Sequence, residues 1–457
     1  MRRTVVLNVV GLTPGLIGQH TPYLKKWSEQ GKTIAITPTL PAVTTTMQST
    51  YLTGVAPSVH GIVGNGWYFR DECEVKFWRQ SNKLVESKKI WEVAKEKNPD
   101  FTCANLFWWY NMYSTVDYAI TPRPQYWADG RKFPDIYTRP ANLRDTLQNK
   151  LGTFPLFDFW GPKTSIKSSQ WIAESAKTIE EQHQPTMTLI YLPHLDYNLQ
   201  RSGNDFPEIG KDLREIDAVC ENLITFYELK GAQVVVLSEY GITNVKRPVS
   251  LNKVLRENGL LAIREENGLE LLDAGASKAF AVADHQVAHV YVNDLTELNR
   301  VRNIIEKIVG VELVLGENEK TKQHINHHRA GELIAVADKD SWFTYYYWID
   351  DNKAPDFARI VDIHKKPGYD PVELFVNPDL NFIPLRVGLK LAKKKLGFRM
   401  LMDVIPIKPE LVKGSHGRLP DSLNDSPLLI SRQKELLLEE KVEAAKVFNI
   451  LLAHLAA

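Results

Sequence analysis

Short apolar runs rich in β-branched residues alternate along the chain with segments of helical periodicity. The apolar runs cover residues 4–10, 186–192, 233–237 and 279–283. The helical segments cover residues 21–30, 84–97, 169–183 and 211–229. Strands that alternate with helices are typical of βαβ units, in which a parallel sheet is covered on both faces. The pattern therefore predicts an α/β fold of three αβα layers around a mainly parallel central sheet.

Polar side chains follow three of these apolar runs directly. His194 and Asp196 come after the second run, and Glu239 comes after the third. Asp284 and His285 come after the fourth. In sheets of this kind, ligands bind beyond the carboxyl ends of the strands. We therefore expect a functional site at this edge of the sheet.

Three segments depart from the alternation of strands and helices. Residues 122–159 are rich in proline, arginine and aromatic side chains without a clear period, which predicts an irregular excursion over the mouth of the cleft. Residues 341–375 are also aromatic and rich in turn-forming residues. Residues 434–457 have the pattern of an amphipathic closing helix.

Charge and cysteine content exclude several classes of protein. The 56 Lys and Arg residues nearly balance the 55 Asp and Glu residues, and a net charge of +1 creates no field that would gather nucleic acid or anionic lipid. Any anionic partner must then be bound locally. Three widely spaced cysteines with no CxxC pair indicate reduced interior thiols.

The amino-terminal apolar run is short and is broken by Gly11 and Pro14, which fits a buried strand better than a signal peptide. No apolar segment is long enough to span a bilayer. We expect a cytoplasmic protein without stable membrane insertion.

Residues 41–68 contain the most informative polar pattern. Thr44 stands at the start of a predicted helix, shortly after Pro41. The positive end of a helix dipole and its free N–H groups favour an alkoxide and a phosphoryl oxygen, so this is a suitable position for a nucleophile. The alternative interpretation is that Thr44, Thr45 and Thr46 only cap the helix.

The order of Thr44, Thr53-Gly54, Pro57 and the His-Gly-Ile-Val-Gly-Asn stretch of residues 60–65 resembles the nucleophile block of nucleotide pyrophosphatase/phosphodiesterases. These belong to the alkaline phosphatase superfamily, and the block is also similar to that of phosphonoacetate hydrolase. The resemblance implies a hydrolase that acts on a small phosphoester, phosphodiester or phosphonate through Thr44. It also implies a divalent metal, with zinc the first choice and one or two ions.

The same resemblance implies an alkaline-phosphatase-like catalytic domain over residues 1–430, followed by a C-terminal helix over residues 431–457. Within the domain we expect an insertion or lid near residues 105–165 and a smaller subregion near residues 290–400.

The metal ligands that the family implies are only partly present. Asp196 and His416 match, and Glu239 is a plausible carboxylate replacement that could act as a ligand or a general base. The remaining ligand positions hold Val10, Gln200 and Tyr240. A rebuilt site could recruit other metal ligands: His194, Asp284 and His289.

Three interpretations of this ligand set stay open. The first is a hydrolase with one metal or a rebuilt site. The second is an inactive member that binds a phosphorylated or lipid-like molecule. The third, a conventional two-metal enzyme, is the least compatible with Val10.

Several further side chains are candidates for binding substrate. The helix start at Thr45 could hold an oxyanion, and Gln48 stands near the family's phosphoryl-binding position. His285 could contact substrate or metal. The remaining candidates are two aromatic residues for a stacking wall and one lysine for a phosphate: Trp67, Tyr68 and Lys366. The alternatives are core packing for the aromatic residues and a solvated turn for the lysine.

Overall fold

The computed structural model describes residues 1–128, 131–398 and 400–456. Residues 129, 130, 399 and 457 lie outside the description, so the predicted lid, subregion and closing helix are each described except at these positions.

The strands of the described residues are β1 (Thr4–Val9), β2 (Lys32–Thr37), β3 (Gly66–Phe69), β4 (Glu74–Phe77), β5 (Cys103–Leu106), β6 (Tyr118–Pro122), β7 (Gln125–Tyr126), β8 (Lys132–Phe133), β9 (Ile136–Arg139), β10 (Met187–Leu192), β11 (Gln233–Leu237), β12 (Thr243–Asn244), β13 (Arg247–Val249), β14 (Ile263–Glu266), β15 (Leu269–Leu272), β16 (Ala279–Asp284), β17 (Val287–Val292), β18 (Val311–Leu315), β19 (Leu333–Ala337), β20 (Ser341–Phe343), β21 (Gly414–Ser415), β22 (Leu428–Ser431) and β23 (Lys441–Glu443).

The α-helices are α1 (Pro22–Glu29), α2 (Thr44–Thr53), α3 (Pro57–His60), α4 (Ile90–Lys97), α5 (Leu143–Leu151), α6 (Leu156–Phe159), α7 (Ile166–His183), α8 (His194–Ser202), α9 (Gly210–Leu229), α10 (Leu251–Glu257), α11 (Leu298–Ile305), α12 (Glu317–Lys322), α13 (Ile383–Lys395) and α14 (Val447–Ala456).

A nine-stranded sheet in the order β23-β2-β22-β11-β1-β10-β5-β6-β9 forms the centre of the molecule. Its middle strands, from β11 to β6, run parallel, whereas β22 and β9 join antiparallel. Every residue of β1, β10 and β11 is buried, so both faces of the middle strands are covered. Helices α1, α7 and α9 pack together in one layer, and α2, α4 and α14 pack together in another. The predicted α/β fold with a large, mainly parallel sheet is confirmed.

A second sheet, in the order β16-β17-β19-β18, is entirely antiparallel and has its own hydrophobic core. The apolar run at residues 279–283 forms β16 of this sheet, so its assignment to the parallel sheet was wrong. An apolar run shows that a strand is buried but does not show which strands it pairs with.

Two predictions of local structure need correction. Residues 122–159 are not irregular throughout, because β9 extends the central sheet and α5 follows it. The closing helix begins only at Val447, because Lys441–Glu443 pairs in parallel with β2 at the sheet edge. In the described part of the chain, none of the helices combines the length and the apolar character that crossing a bilayer requires.

Helix α2 carries the predicted nucleophile and is buried at all ten positions. Val43 precedes it in an extended conformation, and Gly54 ends it in the left-handed region with φ +69°. The Gly54 N–H donates to the Thr50 carbonyl, which closes the last turn. Because α2 is buried on all sides, packing fixes its position relative to the central sheet. Its first residue, Thr44, therefore has a defined position at the sheet edge.

Candidate active site

A cavity of about 1730 Å³ lies at the carboxyl edge of the central sheet. Polar residues in its wall come from helix starts and loops that follow strands of the two sheets: Thr44, Asp196, Tyr240, His285 and Tyr369. Thr44 is the first residue of α2, and Asp196 lies in the first turn of α8, just beyond β10. The structure thus brings together residues that are distant in the chain.

A single phenol links the predicted nucleophile to the predicted carboxylate. The Thr44 Oγ1 and Tyr240 hydroxyl oxygens are 3.0 Å apart, and the Tyr240 hydroxyl donates to Asp196 Oδ1 at 3.2 Å. Gln200 donates to the other Asp196 oxygen at 2.8 Å, and Tyr369 donates to the Gln200 amide oxygen at 2.9 Å. Tyr240 and Gln200 replace expected metal ligands, and both serve here to position Asp196.

Burial raises the pKa of Asp196 to about 7, although the hydrogen bonds from Tyr240 and Gln200 oppose this shift. The Asp196 carboxyl therefore changes charge close to neutral pH. In its ionised form it can accept a proton that passes from Thr44 through the Tyr240 hydroxyl.

Four rings stack in a row beside this link. The centroids of Tyr240 and His416 are 3.5 Å apart, those of His416 and His285 are 3.8 Å apart, and those of His285 and Tyr369 are 3.6 Å apart. Burial holds the pKa of each of the two histidines well below its usual value. Both imidazoles are therefore neutral and each offers a nitrogen lone pair.

The hydrogen bonds of the two histidines identify which nitrogen is available. His416 Nδ1 lies 2.8 Å from the Ala42 carbonyl, to which it donates, and His285 Nδ1 lies 2.8 Å from Asp284 Oδ1. The Nε2 atoms of both rings are buried and have no hydrogen-bond partner among the described residues. His285 also has φ +61°, an uncommon conformation for a non-glycine residue, at the turn between β16 and β17.

Asn65, the last residue of the motif at residues 60–65, ties the helix start to this histidine pair. Its N–H and side-chain amide donate to the two oxygens of Asp284 at 2.8 and 3.1 Å, and its amide oxygen accepts from the Thr45 N–H at 3.1 Å. Burial raises the pKa of Asp284 to about 6, against the Asn65 bonds. The Thr45 hydroxyl donates to the Gly64 carbonyl at 2.8 Å. Both polar groups of Thr45 are thus used internally, which corrects its prediction as an oxyanion site.

Glu239 lies behind the cavity rather than in it. The side chain is fully buried and absent from the cavity wall, and the amides of Asn8 and Gln48 both donate to its Oε1. Burial raises the pKa of Glu239 to about 8. Gln48 also accepts from the Trp109 N–H at 2.7 Å. Gln48 and the Glu239 Oε1 atom are therefore held by protein partners, and neither residue lines the cavity, which corrects Gln48 as a substrate contact. The Glu239 Oε2 atom is buried without a hydrogen-bond partner among the described residues.

Two histidines predicted as metal ligands are placed elsewhere. His194 Nε2 lies 3.2 Å from Asp212 and 3.1 Å from Glu215, outside the cavity wall. His289 donates from Nε2 to the Val63 carbonyl at 2.8 Å and accepts the Gly331 N–H at Nδ1. Because both nitrogens of His289 have protein partners, no lone pair remains for a metal ion.

The predicted phosphate-binding lysine is an interior ion pair. Lys366 Nζ is buried 2.8 Å from Asp370 and 2.7 Å from Glu373, so two carboxylates already neutralise it. Trp67 packs in a core beneath Arg329, and Tyr68 packs against the second sheet. The core-packing alternative is therefore correct for Trp67 and Tyr68.

The aromatic wall of the cavity consists of other residues. Trp78 and Trp109 have ring centroids 4.8 Å apart, and Trp160 lies 5.8 Å from Tyr369. All four residues line the cavity. Trp160 lies next to the aromatic-rich segment 122–159 and Tyr369 lies within the segment 341–375, whereas Trp78 lies in neither. The cysteine expectation also holds only in part, because Cys73 is exposed whereas Cys103 and Cys220 are buried.

The residues around Thr44 do not fit a two-metal centre. Among the described residues, three or more candidate ligand atoms approach within 4.8 Å of one another in two groups: Glu86 with His327 and His328, and His194 with Asp212 and Glu215. Neither group includes Thr44, Asp196 or His416. The Tyr240 hydroxyl lies between Thr44 and Asp196, where a shared ion would have to bind.

Three αβα layers, with a threonine and a carboxylate at the carboxyl edge of the central sheet, form the arrangement that the sequence predicted. The family model for type I phosphodiesterases/nucleotide pyrophosphatases matches residues 4–370. The chain belongs to this family, whose enzymes are metal-dependent hydrolases, and the predicted resemblance is confirmed.

Similar proteins agree with this assignment. An uncharacterized pyrophosphatase/phosphodiesterase of Schizosaccharomyces pombe is 23% identical over 257 residues, which are 54% of this chain and 43% of that protein. The matched region thus spans less than half of the curated relative.

Two solved structures share the fold over nearly the whole chain. Murine ectonucleotide pyrophosphatase/phosphodiesterase 5 has a TM-score of 0.59 and 12% identity, covering 100% of this chain and 95% of that one. Phosphonoacetate hydrolase from Sinorhizobium meliloti, in complex with phosphonoacetate, has a TM-score of 0.62 and 13% identity, covering 99% and 96%.

Proposed function

We propose that this protein hydrolyses a phosphoester or phosphodiester, or a related phosphonate, with Thr44 as the nucleophile. The observation that carries the proposal is the link from Thr44 through the Tyr240 hydroxyl to Asp196 at the base of the cavity. The position of Thr44 at the start of α2 supports it, because the helix dipole there favours an alkoxide. An inactive form of the murine relative, with a threonine replaced by alanine, was solved with AMP.

In the first step the Thr44 oxygen forms a bond to phosphorus, and the bond from phosphorus to the leaving oxygen breaks. The Thr44 proton passes to the Tyr240 oxygen, and the Tyr240 proton passes to the ionised Asp196 carboxylate. The phenol therefore ends the step in its original neutral form. The leaving oxygen takes up a proton from water in the cavity.

In the second step water attacks phosphorus and the bond to Thr44 breaks. The base we propose for this water is His285, because the residue lines the cavity and its neutral Nε2 has no hydrogen-bond partner among the described residues. Asp284 accepts from His285 Nδ1 and stabilises the imidazolium that forms. Asp196 returns its proton through Tyr240 to Thr44. The His285 imidazolium releases its proton to the hydroxide that remained when water protonated the leaving oxygen, so the site returns to its starting state.

The proposal includes no step on a metal ion. The Tyr240 hydroxyl joins Thr44 to Asp196, and neither group of three candidate ligands among the described residues includes Asp196, His285 or His416. The resemblance favours zinc, so the requirement of turnover for zinc is tested directly. Turnover that survives chelation with EDTA supports the tyrosine link, and turnover that is lost with EDTA and restored by zinc contradicts it.

The function can be tested with bis-p-nitrophenyl phosphate, p-nitrophenyl phosphate and a phenylphosphonate ester. We expect Thr44→Ala to abolish turnover of whichever class is hydrolysed. Thr46→Ala is the matched control, since Thr46 lies two residues further along α2 and its hydroxyl has no hydrogen-bond partner among the described residues. Equal turnover by wild type and Thr44→Ala would refute the nucleophile.

One observation favours a second candidate, a binding protein without turnover. The Tyr240 hydroxyl fills the space between Thr44 and Asp196, and the walls above are largely apolar. This candidate predicts no hydrolysis by wild type but binding of AMP or phosphonoformate, the ligands solved with the two structural relatives. Calorimetry together with the turnover assay separates the two functions.

A further inference from the structure

Exposed apolar side chains surround the mouth of the cavity and come from three separate chain segments. They are Tyr126 and Trp127 beside β7, Phe157 on α6, and Leu391, Phe398 and Leu401 on or after α13. Each is about half exposed or more, with values from 46% for Leu401 to 64% for Phe398. Single exposed apolar residues are ordinary, but a contiguous group around a cavity marks a binding surface. We call these residues the mouth patch.

Helix α13 extends the mouth patch across the surface. Leu385 and Leu389 are one turn apart and are exposed by 63% and 59%. Phe382 and Leu396, at the two ends of the helix, are exposed by 81% and 76%. Contact with the rest of the described chain therefore does not explain why these positions are apolar.

The same segment is strongly basic. Residues 380–402 contain six Lys and Arg and no Asp or Glu, although the whole chain has a net charge of only +1. Lys393 and Lys395 are exposed, whereas Lys390 pairs with Asp403 and holds the helix to the body of the molecule. An amphipathic helix with a basic face and large apolar side chains is typical of helices that lie in a membrane interface.

Aromatic and basic residues are also paired on the neighbouring hairpin of β7 and β8. The Arg131 guanidinium lies 4.6 Å from the Trp127 ring centroid, and the Lys132 ammonium lies 5.4 Å from that of Tyr126. Tryptophan and tyrosine with nearby cations are enriched where a protein meets lipid headgroups. The hairpin and α13 thus present the same chemistry on two sides of one cavity.

We propose that the mouth patch docks on the surface of an anionic lipid bilayer. The apolar side chains enter the headgroup region, and Lys393 and Lys395 contact lipid phosphates. With 13 residues the helix is about 20 Å long, shorter than the roughly 30 Å apolar core of a bilayer, so it lies in the plane of the surface. The cavity then faces the membrane. This docking does not depend on the chemistry proposed for Thr44.

The test is co-sedimentation of the full chain with vesicles of phosphatidylcholine alone or mixed with phosphatidylglycerol. We expect binding to the anionic vesicles that weakens as salt is added. Lys393→Gln with Lys395→Gln should lower the partition constant about fivefold for each lysine removed. Leu385→Gln with Leu389→Gln should remove most of the binding.

Matched controls change the same residue types at positions that do not line the cavity. Leu229→Gln with Leu438→Gln replaces leucines that are 83% and 85% exposed, and Lys97→Gln with Lys307→Gln replaces exposed lysines. Both controls should bind vesicles like wild type, and so should Thr44→Ala. A thermal melt of each variant establishes that it is folded.

Three outcomes would overturn the proposal: no binding of wild type to anionic vesicles, equal binding to both vesicle types, or equal loss in the controls. Capture of a protein that needs Leu385 and Leu389, without vesicle binding, would assign the surface to a protein partner instead. Vesicle binding with no turnover would sustain the docking and contradict only the proposed hydrolysis.

Discussion

At the scale of single residues, the most consequential feature is Tyr240. Its hydroxyl contacts both Thr44 and Asp196, and its ring stacks on His416. From the sequence alone Tyr240 counted only as a missing metal ligand. The structure shows that a phenol can join the same two partners by hydrogen bonds, without an ion.

Tyr240→Phe tests this link directly, because it keeps the ring stack and removes only the hydroxyl. We expect kcat/KM to fall by a factor on the order of 10²–10⁴, the usual contribution of a positioned proton acceptor. Stability should fall by only about 1–3 kcal/mol, since a buried hydrogen-bonding group loses its partner. Steady-state kinetics and urea unfolding give the two numbers, and unchanged kcat/KM would exclude the link.

The pH profile of turnover tests Asp196. Because burial raises the pKa of this acid to about 7, the carboxylate form that accepts the proton predominates only above that pH. We expect log kcat/KM to rise with pH and level off above about pH 7. Asp196→Asn should be nearly inactive and should lack this rise. A rise that persists in Asp196→Asn would assign the titration to another group.

Glu239 is predicted to affect stability rather than chemistry. Burial raises its pKa to about 8 in the folded protein, above the ordinary value for glutamate. The folded state therefore retains a proton that the unfolded state releases, so this stabilising contribution is complete at low pH and is lost as pH rises through about 8.

Glu239→Gln mimics the protonated form at every pH, so its unfolding free energy should fall less between about pH 5 and about pH 9. Over that pH range, we expect the unfolding free energy of the wild type to fall by roughly 2–4 kcal/mol more than that of the variant. Urea titrations of both proteins at the two pH values measure it. Parallel pH dependence in the two proteins would show that Glu239 is ionised in the folded state.

At the scale of elements, the end of α2 is as constrained as its beginning. Gly54 has φ +69°, and a Cβ there would lie 2.8 Å from the Phe448 ring of α14. Gly54→Ala should therefore destabilise the protein by about 1–3 kcal/mol through backbone strain and overlap. Gly259→Ala is the matched control, because Gly259 follows the end of α10 with φ +70° and has no atom within 4 Å of the added Cβ.

Urea unfolding should rank wild type first, Gly259→Ala second and Gly54→Ala third. Equal loss in the two variants would show that only the backbone conformation matters and that α14 does not restrain α2.

The elements also show where sequence patterns are reliable. The predicted strands at residues 4–10, 186–192 and 233–237 correspond closely to β1, β10 and β11, because these runs are buried on both faces and bounded by turns. The closing helix was placed too early, because apolar residues near β23 complete a sheet edge. Periodicity over a few residues does not distinguish these two uses.

At the scale of the whole molecule, the site depends on two sheets that meet. Asp196 and Tyr240 follow strands of the central sheet, whereas Asp284 ends β16 of the antiparallel sheet and His285 follows it. The sequence analysis placed all of them at one edge, although it assigned β16 to the wrong sheet. The net charge of the whole chain also did not predict a surface for anionic lipid, because the near-zero total hides the basic segment at residues 380–402.

The sequence by itself determined the family, the fold class and the nucleophile candidate, because these depend on local order: buried apolar runs and the gap-free block from Thr44 to Asn65. Only the tertiary structure decided how the polar residues are used. Glu239, His289 and Lys366 have the right chemistry for a site, but buried polar groups must find partners, and theirs are protein atoms outside the cavity. Tyr240 and His285 face the cavity because distant elements pack around them, which residue spacing does not encode.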